Sequence, residues 1–270
     1  MFANMAVQGG PEMTIYWQGG VARQPRGAPM TDAEREARVQ LAAAYRIFDH
    51  LGWTEMIFNH ITLRVPGPER LFLINPFGLH YSEVTASNLV LIDIDGNPMR
   101  ESQWPVNRAG FVIHSAVHRA IDKAHCVMHT HTTTGMAVAC LKDGLSFTNF
   151  YAAQLFGRVA YHDFEGITVE LDETERLVRD IGGQRAVILR NHGLASWGES
   201  LPEAFMWLWT LQRACDVQIA SSAAGALQPI LAEVFAQTVR ESGPGEPRLC
   251  EDVFAALVRA IDAKDPSYRD

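Results

Sequence analysis

Cys126-Val127-Met128-His129-Thr130-His131-Thr132-Thr133 is the stretch on which the reading of this chain turns. Its apolar first half, followed by threonines, predicts a short strand over 126–131 and then a helix over 133–141. Side chains two apart along a strand project to the same side. His129 and His131 therefore present two imidazoles to one face. Two ligands do not make a metal centre, and on spacing alone the plainer reading of the pair is two ordinary sheet histidines. The third candidate is His192, in Leu189-Arg190-Asn191-His192-Gly193, a tight turn between strands expected over 186–189 and 194–197. Three neutral imidazoles with an open position is the arrangement of catalytic zinc; it also suits iron, manganese or cobalt.

Other residues near this stretch are weaker candidates. His125 and Cys126 adjoin it, and Cys126 reads as a core thiol. His114 and His118 stand four apart on a helix expected over 109–121, but Ser115, Ala116 and Val117 lie between them, without a metalloprotease glutamate. They read as buried or surface-paired histidines rather than ligands.

Working outward, Thr31-Asp32-Ala33-Glu34 predicts a capping box that opens a helix ending near Gly52. Short apolar runs over 61–65, 71–74 and 89–94, separated by Pro66-Gly67-Pro68 and closed by Asp95-Gly96-Asn97-Pro98, predict a group of strands. Asp172-Glu173-Thr174-Glu175 opens another helix. Ser200-Leu201-Pro202-Glu203 combines a capping box with proline near the first helical position of a long helix reaching about residue 224. A last helix is expected over 251–263. Strands and helices mix without regular βαβ alternation, which predicts one α/β domain over 31–270: a mainly antiparallel sheet with helices on both faces. The Gly- and Pro-bearing residues 1–30 read as an N-terminal arm, loose or wrapped on a neighbouring subunit. Phe205, Trp207, Trp209 and Trp197 read as an aromatic patch, either core or subunit interface.

The chain has 270 residues, with 23 Lys plus Arg against 31 Asp plus Glu, a net charge of −8. That acidic balance argues against nucleic acid or anionic membrane as a partner. No run approaches the length of a membrane span, and the N-terminus lacks a signal-peptide pattern. Cys126, Cys140, Cys215 and Cys250 show no close pairing; they read as reduced core thiols of a cytoplasmic protein. Dinucleotide, P-loop and serine-hydrolase motifs are absent from the sequence.

The histidine pair followed some sixty positions later by Asn191-His192-Gly193 resembles the class II aldolase/adducin family. So do Gly52-Trp53-Thr54-Glu55, Asn59-His60-Ile61-Thr62-Leu63-Arg64, Phe72-Leu73-Ile74-Asn75-Pro76-Phe77-Gly78, Val106-Asn107-Arg108-Ala109-Gly110-Phe111 and Tyr161-His162-Asp163-Phe164-Glu165-Gly166. The resemblance implies αβα layers around a mainly antiparallel sheet, a homotetramer with sites at subunit boundaries, and a zinc-type ion on His129, His131 and His192. It also implies Tyr151, with Gly157 as its marker, in proton transfer from a neighbouring subunit.

The departures from the family pattern are informative. Gly110 stands where the aldolases carry a catalytic glutamate, and it cannot transfer a proton. His60, Phe77, Arg108 and Ala109 occupy the places of the phosphate cradle, with Phe77 where a hydroxyl is expected and Gly78 retained. The implied reading is a metal-dependent lyase, of aldolase or decarboxylase type, that forms an enediolate from a small non-phosphorylated carbonyl or carboxylate substrate. His60, His80, Tyr81 or Tyr151 would then replace the glutamate, while Gly78, Asn107 and Arg108 contact substrate. Arg108 suits a carboxylate, although an ion pair explains it as well. The sequence around 106–118 and 157–206 is similar to the adducin head, so a non-catalytic binding or oligomerisation module with a retained metal site is the alternative. Iron-dependent oxygenation is a third reading that no particular residue specifies.

Overall fold

Seven strands build the middle layer of this computed structural model, which describes residues 29–166 and 171–270. They are β1 (His60–Arg64), β2 (Phe72–Ile74), β3 (Val90–Ile92), β4 (Cys126–Thr130), β5 (Val159–His162), β6 (Ala186–Leu189) and β7 (Gly193–Gly198). Their order in the sheet is β3-β2-β1-β4-β7-β6-β5. Every pairing is antiparallel except β5 with β6, which is parallel. The expected N-terminal arm falls almost wholly outside the described residues.

The helices are α1 (Asp32–Leu51), α2 (Arg108–Ala120), α3 (Thr133–Ala139), α4 (Phe150–Gln154), α5 (Leu171–Ile181), α6 (Leu201–Ser222), α7 (Ala232–Glu241) and α8 (Pro247–Asp262). Alternation along the strands sorts the core into two layers. Cys126 and Met128 of β4 pack with Leu41 and Phe48 of α1 and Phe205, Leu208 and Leu211 of α6. Val127, between them, packs on the opposite face with Ile113 and Val117 of α2 and Leu177 and Ile181 of α5. Both faces are covered, so the central strands are buried along their length. Helix α6 is apolar on most of its circumference because it lies between the sheet and α3, α4 and α8.

Local signals place the helix ends, with one difference. Thr31 accepts from the Glu34 amide and Ser200 from the Glu203 amide, as N-caps do. Neither glutamate closes a reciprocal box. Glu34 turns to Arg38 and Arg100, and Glu203 accepts from the Glu199 amide instead.

Further differences concern packing. Cys126, Cys215 and Cys250 are buried thiols, but Cys140 is exposed at the end of α3. The aromatic patch is divided by the sheet: Phe205 and Trp207 lie in the α6 layer, whereas Trp197 lies in the α2 layer under the Arg185 guanidinium. Strand β5 and helices α4 and α7 were not expected from the sequence. Helix α4 is a five-residue turn, too short to carry its own periodic signal.

Candidate metal centre

The sheet register assembles the site. His129 lies opposite Ala195 and beside His60, and Leu189 pairs with Gly193 across the turn that carries His192. By alternation, His129 faces the α2 layer with Val127, and His60 and Thr62 of β1 face the same way because they pair with His129 and Val127. Gly193 permits the turn to close: a Cβ there would stand 2.3 Å from the Thr130 carbonyl oxygen, and 3.1 and 3.3 Å from the rings of His131 and His129. Only a residue without a side chain fits.

The ligand nitrogens of His129, His131 and His192 all lie within 4.8 Å of one another. The Nε2 atoms of His129 and His131 are 2.7 Å apart. Nitrogens around one tetrahedral ion at about 2.1 Å stand about 3.4 Å apart, a value inside that range. The His129 Nδ1 donates to the Leu194 carbonyl at 2.9 Å, which leaves Nε2 as the ligand atom. Asn59 accepts from the His131 amide at 2.8 Å and donates to the Trp53 carbonyl at 2.7 Å, pinning the strand end. Burial and mutual repulsion hold the three imidazoles neutral: His129 well below its usual range, His192 down to about 4, His131 lowered by burial. Neutral imidazole is the ligating form. The donor set fits a divalent ion.

His60 is buried, its ring 5.0 Å from that of His129. Its Cδ2–Nε2 edge lies flush against Gly110, 2.5 Å from where a Cβ would be. The space of a side chain at position 110 is thus taken by His60. Asn107 is the N-cap of α2 and its Oδ1 accepts from the Gly110 amide at 3.2 Å. Arg108 is the first residue of α2, and its side chain lies outside the described residues. Gly78 lies in the loop after β2, beside the Trp104 ring.

Tyr151 is elsewhere. It stands edge-on to Trp209 at 5.4 Å and lines a cavity of about 750 Å³ between α4, α6 and α7, which none of the three histidines lines. His80 is a half-buried N-cap of a short 3-10 turn. Tyr81 is buried, and its hydroxyl donates to the Asn59 carbonyl.

Two features of the site were not assigned from the sequence. His114 and His118 join His60 and Thr62 in one buried hydrogen-bonded series; their i, i+4 spacing was the signal, which the sequence alone reads as buried or surface-paired histidines. His162 and Phe164 line a small cavity with His192, and His162 Nδ1 lies 2.8 Å from Asp180.

Comparison with known proteins agrees with this geometry. The family described as "Class II Aldolase and Adducin N-terminal domain" matches residues 39–219. A protein of Caulobacter vibrioides named "Putative aldolase class 2 protein" is 41% identical over 243 residues, covering 89% of this chain and 95% of its own. The crystal structure of an aldolase II superfamily protein from Pseudomonas syringae superposes with a TM-score of 0.85 at 44% identity, covering 89% of this chain and 98% of that one. An L-fuculose 1-phosphate aldolase from Glaciozyma antarctica PI12 superposes with a TM-score of 0.78 at 30% identity, covering 92% and 97%. With the sheet order, the three-histidine cluster and these matches in agreement, the chain belongs to the class II aldolase and adducin N-terminal domain family.

Proposed function

We propose that the protein is a metal-dependent carbon–carbon lyase, of aldolase or decarboxylase type, acting on a small non-phosphorylated carbonyl or carboxylate compound. The observation that carries this reading is the convergence of three neutral imidazoles at the end of β4, held by Leu194 and Asn59. A divalent ion there, with zinc first and iron or manganese next, would supply Lewis acidity to the oxygens of a carbonyl substrate.

The protein groups divide the remaining work. His60, beside Gly110, takes the place of the missing glutamate as proton acceptor. Arg108 at the start of α2 suits a substrate carboxylate, and Asn107 and Gly78 are the other substrate-contact candidates. Phe77 stands where a phosphate cradle would need a hydroxyl, in favour of a substrate without phosphate. Tyr151, remote from its own cluster, supports a role across a subunit boundary in a homotetramer. The cytoplasm is the compartment this chemistry fits; among the described residues no helix is long and apolar enough to cross a membrane.

The second reading is an adducin-head-like binding module. It is favoured by one observation: the position of the family's glutamate has no room for any side chain. Turnover of carbonyl substrates by the metal-loaded protein decides between the two, and metal content tests the ligand assignment that the lyase requires. Elemental mass spectrometry of protein purified without a metal-affinity tag should give about one equivalent of zinc, iron or manganese per chain. His129→Ala and His192→Ala should each lose most of it, while His125→Ala, at an exposed neighbouring histidine, should keep it. No metal in the wild type, with none taken up on titration, would leave the binding module; equal content in all variants would overturn the ligand assignment.

A further inference from the structure

We propose that His118, Thr62 and His114 are positioning residues that hold His60 in a single tautomer, with its proton on Nδ1 and its bare Nε2 edge against Gly110. This rests on the reading of His60 as the proton acceptor, but its test needs no turnover.

The argument starts at the far end of the series, where there is no choice. The Ala124 carbonyl can only accept, so His118 Nδ1, 2.7 Å away, carries a proton. All four members are buried, with exposures from 0% to 3% for His114, Thr62, His118 and His60. Among the described residues no carboxylate contacts any of the three rings. Arg64 and Arg70 add positive potential near His118. An imidazolium here would be a buried charge without a counter-charge, so each ring is neutral with one N–H.

Each step then fixes the next. With its proton on Nδ1, His118 has a bare Nε2, which accepts from the Thr62 hydroxyl at 2.7 Å. That hydrogen is now committed, so Thr62 Oγ1 must accept from His114 Nδ1 at 2.8 Å. His114 Nε2 is therefore bare and accepts from His60 Nδ1 at 2.8 Å. Neutral His60 is left with a bare Nε2. Reversing any one link would set two acceptors or two donors face to face at hydrogen-bond distance, without water to relieve them. The Ala124 carbonyl, in the loop between α2 and β4, thus determines that the His60 nitrogen lying against Gly110 is the bare one.

The series also accounts for Gly110. The His60 ring that the series holds in place leaves 2.5 Å to a Cβ at that position, so only glycine fits beside it. His60 and Gly110 form one device in place of a side chain projecting from α2.

The test is nitrogen NMR of the full-length protein as purified, labelled with 15N at histidine and read by magic-angle spinning so that oligomer size does not matter. Resonances are assigned by difference from His60→Gln, His114→Gln and His118→Gln. Protonated and bare ring nitrogens are well separated in shift, and the wild type should show His60, His114 and His118 all protonated at Nδ1 and bare at Nε2. Thr62→Val should split the His60 signal between two tautomers, and Thr62→Ser should restore one. A wild-type His60, His114 or His118 protonated at Nε2 overturns the proposal without any variant having to fold. So does a Thr62→Val protein with the wild-type His60 signature. Metal content measured on the same samples reads the lyase proposal separately: absent metal with the expected tautomers would overturn that reading and leave this one standing.

Discussion

Two buried polar clusters, one in each helical layer, satisfy the same constraint by opposite means. In the α1 layer, Glu34 and Arg38 are 4% and 5% exposed. Glu34 accepts from Arg38 at 2.9 Å and from both Nη atoms of Arg100 at 2.6 and 2.8 Å, while Arg38 donates to the carbonyls of Ala86 and Leu89. Burial opposes ionisation of Glu34, but the two arginines outweigh it and hold the carboxyl below its usual range. In the α2 layer, three histidines and a threonine carry no charge and are satisfied by direction alone. The difference matters next to the candidate metal centre. Three neutral ligands leave a divalent ion's charge uncompensated, and a cationic neighbour would repel it. A neutral series can stand 5.0 Å away, at His60, without that penalty. Opposite charges fasten α1 to the loops under it; the neutral series orients a ring.

The comparison is most directly broken at Glu34. Glu34→Ala leaves Arg38 buried and unpaired, and should destabilise the fold by about 3–5 kcal/mol in urea unfolding. A loss under about 1 kcal/mol would mean that Arg38 finds water and that the cluster is not closed. Gly110→Ala should come next. Its Cβ meets the His60 edge at 2.5 Å, and the overpacking should lower stability by about 1–3 kcal/mol. Gly110→Glu should be worse rather than restore a proton-transfer group. An unchanged melting temperature for Gly110→Ala would show that His60 swings aside freely.

The sharpest contrast is acid sensitivity, which builds up gradually with pH. Burial lowers His118 to about 3 from 6.5, so the unfolded chain binds more protons than the native one between those values. Stability therefore falls as pH drops below about 6.5, by up to about 1.4 kcal/mol per pH unit for each such histidine. Glu34 works in the other window: its folded pKa is depressed, so its contribution is complete above its unfolded value of 4.5 and is lost only below it. Between pH 6.5 and 4.5 the loss should come from histidines, and His118→Gln should flatten the slope. Stability that is level from pH 7 to pH 5 would contradict a neutral buried series.

Much of the site was legible because its signals are local. The period of two in His129-Thr130-His131 places both rings on one side whatever surrounds the strand, and Asn191-His192-Gly193 announces a tight turn. Thr31 and Ser200 announce helix starts for the same reason. The reciprocal halves of both capping boxes failed, and Glu203 turned to the Glu199 amide only four residues away. Glu34 was drawn to Arg100, 66 positions away, and no local rule contains that residue. Likewise, His114 and His118 were legible as one face of a helix, but not as members of a series that begins in β1. Their meaning depends on Thr62 and His60, more than fifty positions earlier. Tyr151 was nominated by the family resemblance for a role in a neighbouring subunit's site; within its own chain it packs on Trp209 beside a different cavity.

By itself, then, the sequence determined the alternation of the strands, the ends of the main helices, the three metal-ligand candidates and the absence of a side chain at position 110. These depend on backbone geometry over a few residues. The tertiary structure decided what fills the space at Gly110, which carboxylates meet which arginines, and which edge of His60 lies against Gly110. Those depend on strand register and on the packing of α2 against β1, where a shift of one residue would turn His60 and Thr62 to the other face of the sheet.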